Sequence, residues 1–173
     1  MNDNVFLIGP MGSGKTAVGM RLARLTNREF LDSDAEIERS TGVDVGFIFE
    51  KEGESGFRRR ERLMISELTS RQGIVLATGG GAVLDPGNRN GLSANGYVVY
   101  LAATVDSQFE RARRSRTRPL LETDDPRARL DALMLEREPL YRQIADHEIV
   151  TDSQHPDAVA RLLQRHLAQI GEQ

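Results

Sequence analysis

Residues 9–16 read Gly-Pro-Met-Gly-Ser-Gly-Lys-Thr, directly after the apolar run Val5-Phe6-Leu7-Ile8. The spacing G-x-x-x-x-G-K-[ST], set between a strand pattern and a helix pattern, constrains the fold more than any other stretch. It is a phosphate-binding loop in its strand–loop–helix setting. Backbone N–H groups of a glycine-rich turn can wrap a polyphosphate, and the helix that follows adds the positive end of its dipole. Gly12, Ser13 and Gly14 form the cradle and Ala17 stands in the first turn behind it. Lys15 reaches the β- and γ-phosphates, and the Thr16 hydroxyl is a ligand for Mg²⁺. A nucleoside triphosphate is therefore the expected ligand.

A chain of 173 residues suits one domain with one core, spanning 1–173. Its net charge of -3 offers no basic field for nucleic acid or an acidic membrane. The absence of cysteine excludes disulfides, thiolate metal sites and cysteine nucleophiles. His147, His155 and His166 are expected on surfaces or helix ends, with no close ligand pair. The apolar run near the N-terminus lacks a basic region before it and reads as a buried strand, not a signal peptide. No stretch approaches the roughly 18 apolar residues of a membrane span. The expectation is a soluble cytoplasmic protein.

Strand and helix patterns alternate. Strands are expected at 4–8, 29–31, 74–77, 97–101 and 148–151. Helices are expected at 15–25 (apolar Val18, Leu22 and Leu25), 35–40, 44–51 and 55–71 (apolar Leu63, Ile65 and Leu68). Further helices are expected at 105–114, 126–145 with a kink at Pro139, and 156–170. Residues 115–125 contain Pro119 and end in Thr123-Asp124-Asp125-Pro126, so they read as a long loop. The alternation argues for a parallel sheet covered on both faces by helices. Ligands bind such sheets at the carboxyl ends of the strands. The phosphate loop, Asp32-Ser33-Asp34 and Gly79-Gly80-Gly81 each follow a strand, so all three should line one cleft.

The chemistry follows from the residue types. Asp32 could hold a water on Mg²⁺, while Asp34 could accept the proton of a hydroxyl substrate. One of Asp32 or Ser33 could instead simply cap the next helix, the reading preferred for Ser33. Gly79, Gly80 and Gly81 let backbone N–H groups approach a ligand unobstructed by Cβ. No acid ends the 74–77 strand, so the metal must find support elsewhere, and Asp32 is the candidate. Arg58 and Glu61 stand at i and i+3 and can pair, which preorganises Arg58 for forked binding of a carboxylate. Arg59 and Arg60 are assigned to solvent. Five arginines stand between Arg111 and Arg118. They suggest a mobile lid, about 112–125, with one arginine on the transferring phosphoryl group. Arg137, flanked by acids, could be a surface ion pair.

Taken together, these motifs resemble shikimate kinase. The resemblance runs through Gly9–Thr16, Asp32-Ser33-Asp34, Gly53-Glu54, Phe57-Arg58-Arg59-Arg60-Glu61, Gly79-Gly80-Gly81, Arg118-Pro119-Leu120-Leu121, Arg137-Glu138-Pro139-Leu140-Tyr141 and Thr151-Asp152-Ser153-Gln154. It implies a three-layer α/β fold of the nucleoside-monophosphate-kinase type, with a five-stranded parallel sheet and a mobile lid. It implies transfer of the γ-phosphoryl of ATP to the 3-hydroxyl of shikimate, in the pathway to chorismate and aromatic amino acids. Lys15, Asp34 and Arg118 would be catalytic. Gly12, Ser13, Gly14, Lys15, Thr16, Ala17, Arg111, Arg118 and Gln154 would bind ATP, with adenine between the Arg111 region and Gln154. Asp34, Arg58, Gly79, Gly80, Gly81 and Arg137 would bind shikimate, mostly from a region about 32–61. Mg²⁺ would sit on Thr16, with Asp32 behind a water. The enzyme would be a monomer with neither nucleic-acid nor membrane partners. Val45 and Phe47 depart from the family's usual residues and leave the local helix open. A gluconate kinase on the same scaffold, or a nucleotide-binding module without turnover, stays as an alternative.

Overall fold

Strands β1 (Val5–Ile8), β2 (Glu29–Asp32), β3 (Ile74–Ala77), β4 (Tyr97–Ala102) and β5 (His147–Val150) form one sheet in the order β2-β3-β1-β4-β5. Every pairing is parallel. The computed structural model describes residues 3–114 and 123–171. Alternation along β1 assigns the two cores. Phe6 and Ile8 pack with Ile65, Leu68, Leu92 and Tyr141 on one face, while Val5 and Leu7 pack with Val18, Leu22, Val159 and Leu163 on the other. Each fully buried side chain of this size contributes about 1.5–3 kcal/mol. Helices α1 (Lys15–Thr26) and α7 (Pro156–Gly171) cover the second face; α3 (Val45–Thr69), α4 (Pro86–Asn95) and α6 (Pro126–Ile144) cover the first.

The register aligns the strand ends that matter. Asp32 pairs with Ala77, Ala77 with Leu7, and Ile8 with Tyr100. The chain leaves β2, β3 and β1 side by side, so the acidic loop, the triple glycine and the phosphate loop open onto one edge, as expected. Asn4 ties the opposite end. Its side chain donates to Arg71 O (2.7 Å) and Asn95 O (3.1 Å) and accepts from Ile74 N (3.2 Å).

Several expectations are corrected. Helix α2 (Ser33–Thr41) starts directly after β2, and its cap is Asp32, whose Oδ1 accepts from Asp34 N and Ala35 N. Ser33 is buried, and its hydroxyl accepts from Gly79 N, so it is not a cap. The two helices expected at 44–51 and 55–71 do form within α3, divided by the non-helical backbone of Gly53. Leu25 and Leu63 are exposed rather than core, because the buried stripes run through Leu22 and through Ile65 and Leu68. Helix α6 continues through Pro139. Phe47 is exposed with the Lys51 ammonium over its ring, and the helix forms around it. His147 and His166 do meet: their rings stack at 4.0 Å, and His166 Nε2 lies 2.9 Å from the Tyr97 hydroxyl. Burial and the neighbouring imidazole lower the His147 pKa.

Gly53 carries φ 71 and ψ -178, a region nearly closed to residues with a Cβ. The bend sets the direction of the helical half that carries Arg58 and Glu61. Gly53→Ala should therefore destabilise the fold by about 1–3 kcal/mol, although nothing crowds the position. Denaturant unfolding of the two proteins checks this, and equal midpoints would refute it.

Candidate active site

The phosphate loop is built by close approach. Gly9 has φ +144, and a Cβ there would collide with the Leu101 carbonyl oxygen of β4. Gly14 enters α1 with left-handed backbone. The loop is held from beneath by Thr151, whose hydroxyl donates to Ser13 O (2.9 Å). It is also held by Arg111, from helix α5 (Val105–Arg113). Arg111 donates to Gly12 O (2.6 Å) and Thr151 O (2.7 Å). Arg111 thus bridges the phosphate loop and the segment after β5, with two of its nitrogens committed to backbone. Gln154 is exposed and donates to Val150 O (2.5 Å). The Lys15 ammonium is buried and donates to the loop's own Gly9 O (2.7 Å) and Pro10 O (2.8 Å). It lies within the concave turn where a polyphosphate would bind.

Thr16 and Asp32 come together. The Thr16 hydroxyl donates to Asp32 Oδ2 at 2.9 Å. Asp32 thus uses its two oxygens differently: Oδ1 caps α2 and Oδ2 accepts from Thr16 beside the phosphate loop. A hydroxyl and a carboxylate are hard oxygen donors, which suits Mg²⁺. Among the described residues, no group of three or more His, Cys, Asp or Glu could hold a metal.

The acceptor side is a cup of buried charge around the triple glycine. A Cβ on Gly79 would lie 3.0 Å from both Asp34 Oδ1 and Glu61 Oε2. A Cβ on Gly81 would fall on the Arg58 guanidinium, and one on Gly80 would stand 3.5 Å from Arg137 Nη1 and 3.3 Å from Met11 N of the phosphate loop. Arg58 donates to Glu61 Oε1 (2.8 Å) and Glu54 Oε1 (3.3 Å). Glu61 and Arg137 are almost wholly buried, which overturns the surface ion pair as the reading of Arg137. Arg59 and Arg60 are exposed as expected, and Arg60 grips Glu52 across the Gly53 bend. Four shielded atoms in the cup have no hydrogen-bond partner among the described residues: Asp34 Oδ1, Glu61 Oε2, Arg58 Nε and Arg137 Nε. Orphaned buried polar atoms are costly and uncommon in native proteins. Four around one opening mark a ligand's place, and their types ask for hydroxyls and a carboxylate.

Burial is the largest influence on Asp34. Together with the negative charges of Glu61 and Asp32, it raises the Asp34 pKa from 3.8 to about 7, against the pull of Lys15 and Arg58. Burial likewise raises Glu61, with Arg58 and Arg137 pulling it down. Burial works against the charge of Arg58, but Glu61 and Glu54 outweigh it and raise its pKa. A carboxylate poised near neutrality beside a phosphate loop can take a proton from a hydroxyl.

Comparison with known proteins is decisive. Residues 11–168 match the shikimate kinase family model. The chain belongs to the shikimate kinase family. It is 55% identical over 157 residues to the shikimate kinase of Actinobacillus pleuropneumoniae serotype 5b, covering 91% of each chain. It is 56% identical over 158 residues to shikimate kinase 1 of Yersinia pestis strain Pestoides F, again covering 91% of each. Its backbone superposes on shikimate kinase from Acinetobacter baumannii in complex with shikimate with a TM-score of 0.92, at 49% identity over 96% of this chain and 94% of that one. A gluconokinase from Sinorhizobium meliloti shares only the fold, with a TM-score of 0.65 at 19% identity, covering 99% of this chain and 94% of that one. Members of the shikimate kinase family carry out ATP-dependent phosphorylation of shikimate, and this chain is such a kinase.

Arg118 and most of the expected lid lie outside the described residues. The other expected site residues gather along one sheet edge. Glu61 was legible only as the partner of Arg58. Its i, i+4, i+7 spacing with Ile65 and Leu68 is the signal that it faces inward.

An acid whose folded pKa lies above its unfolded one binds its proton more tightly when folded, so stability falls as pH rises between 3.8 and about 7. Asp34→Asn should therefore raise the melting temperature of the ligand-free protein at pH 8 and change it little near pH 4. Scanning calorimetry of both proteins at the two pH values checks this. An equal shift at both would contradict the buried-charge explanation.

Proposed function

We propose that this cleft transfers the γ-phosphoryl group of ATP to the 3-hydroxyl of shikimate. The products are shikimate 3-phosphate and ADP, within chorismate and aromatic amino acid biosynthesis. The observation that carries the reading is the cup of unpartnered buried atoms on Asp34, Glu61, Arg58 and Arg137, opening beside the phosphate loop. Shikimate offers what those atoms lack: a carboxylate for the two guanidiniums and hydroxyls for Asp34. The shikimate bound to the Acinetobacter baumannii relative supports the same assignment.

In this reading Arg58 and Arg137 fork the substrate carboxylate, and the backbone of Gly79, Gly80 and Gly81 frames the ring. Asp34 accepts the proton of the 3-hydroxyl as its oxygen attacks phosphorus. Gly12, Ser13, Gly14 and Ala17 hold the phosphates, and Lys15 moves from its loop carbonyls onto the β- and γ-phosphates. Thr16, with Asp32 behind a water, would hold Mg²⁺, which would neutralise phosphate charge. Arg118 covers the transferring group as the segment about 112–125 closes. Adenine lies between Arg111 and Gln154, against the planar face of the guanidinium. The span 1–173 acts as one domain, in the cytoplasm, as a monomer, and without nucleic-acid or membrane partners. Among the described residues no helix is long and apolar enough to cross a membrane.

ADP release measured with shikimate, with gluconate and with no acceptor tests the assignment. Shikimate alone should stimulate it; equal release without acceptor would contradict it. Arg58→Ala should cost roughly 1.5–3 kcal/mol of carboxylate binding. That corresponds to a shikimate KM raised about 10- to 100-fold, with the ATP KM nearly unchanged. Equal effects on both constants would remove Arg58 from the carboxylate. Asp34→Asn should lower kcat by about 10²-fold or more; near-normal turnover would remove Asp34 from the chemistry.

A further inference from the structure

The triple glycine has an anchor outside the cup. Tyr141 is fully buried, and its hydroxyl donates to the carbonyl oxygen of Gly80 at 2.5 Å. It stands one turn after Arg137 on α6, where i and i+4 share a face. Its ring stacks on that of Tyr100 from β4, centroids 5.0 Å apart and planes 24° from parallel. Gly80 is the joint of the cleft: an atom added at its Cα would stand 3.3 Å from Met11 N and 3.7 Å from Gly9 O on the donor side, and 3.5 Å from Arg137 Nη1 on the acceptor side.

We propose that Tyr141 is a positioning residue for the acceptor, fixing the Gly80–Gly81 peptide and, through it, the approach of Arg137 to the substrate carboxylate. The inference rests on shikimate being that acceptor. Glycines on both sides leave the Gly80–Gly81 peptide freer to turn than other residues would, while Ala82 N and Leu84 N hold the flanking carbonyls of Gly79 and Gly81. The tyrosine hydroxyl restrains the Gly80 carbonyl between them from a rigid base. The Tyr100 stack fixes the ring, and the sheet fixes Tyr100. The Arg137 charge acts on the same hydroxyl, which ties the cation and the loop to one atom. The Tyr100 hydroxyl is also buried but has no partner among the described residues, so the two tyrosines separate ring packing from hydrogen bonding within one stack.

Tyr141→Phe keeps the ring and removes the hydrogen bond. The expected result is a shikimate KM raised about fivefold or more, with the ATP KM unchanged. Tyr100→Phe is expected to leave both constants unchanged. In a ¹⁵N-labelled sample of each, the Gly81 amide resonance should move in Tyr141→Phe and stay in Tyr100→Phe. This second readout needs no turnover and applies even to a less stable variant. A melting temperature lowered with both KM values and the Gly81 resonance unchanged would overturn the proposal and leave Tyr141 a packing residue. A moved resonance and a raised shikimate KM in Tyr141→Phe alone would sustain it. Wild-type enzyme that releases no ADP in response to shikimate would overturn the assignment of the acceptor as well.

Discussion

Two carboxylates meet over a residue that has no side chain. Asp34 and Glu61 both face the position a Cβ would take on Gly79, shielded from water and only partly paired. Bringing two acids together in a buried site costs stability, because each charge loses hydration and repels the other. The fold tolerates this because Arg58 and Arg137 lie against the same pocket, and Glu61 shares Arg58 directly. The cup holds charges of both signs and is short of hydrogen bonds among the described residues. Destabilised active sites of this kind are a recurrent cost of function.

The parallel sheet is what makes such a meeting possible. Asp34, Gly79 and the phosphate loop come from three separate crossovers, yet their strands are neighbours and end in register. Glu61 and Arg58 arrive from a helix redirected at Gly53, and Arg137 from one that runs on through Pro139. Donor and acceptor halves share the short backbone around Gly80. The phosphate loop and the charged cup are thereby adjacent without any residue having to reach far.

Much of this was legible in the sequence. The phosphate loop announces itself because its chemistry requires fixed residue types at fixed spacing. The strands at the site, though not their order in the sheet, follow from apolar runs ending in glycine or aspartate. Arg58 and Glu61 were readable as a pair from their i, i+3 separation. What stayed hidden depended on contacts distant in sequence. Arg137 between acids looks like a surface residue, and only packing against the glycine loop buries it. Ser33 looks like a cap until Gly79, 46 residues away, donates to it. Leu25 and Leu63 fit an apolar stripe yet stand at its edge, where one residue of rotation decides exposure. The stacked imidazoles of His147 and His166 likewise join a strand to a helix that no local pattern connects.

The central claim is that burial and neighbouring acids hold Asp34 near neutrality so that it can take the proton of the shikimate hydroxyl. The most direct measurement is the pH dependence of kcat/KM for shikimate at saturating ATP, which reports the titrating base of the enzyme–ATP complex that meets shikimate. The expected profile falls on the acid side with a midpoint near 7, where Asp34 protonates. A profile flat from pH 8 down to pH values near the ordinary carboxylate range would contradict it.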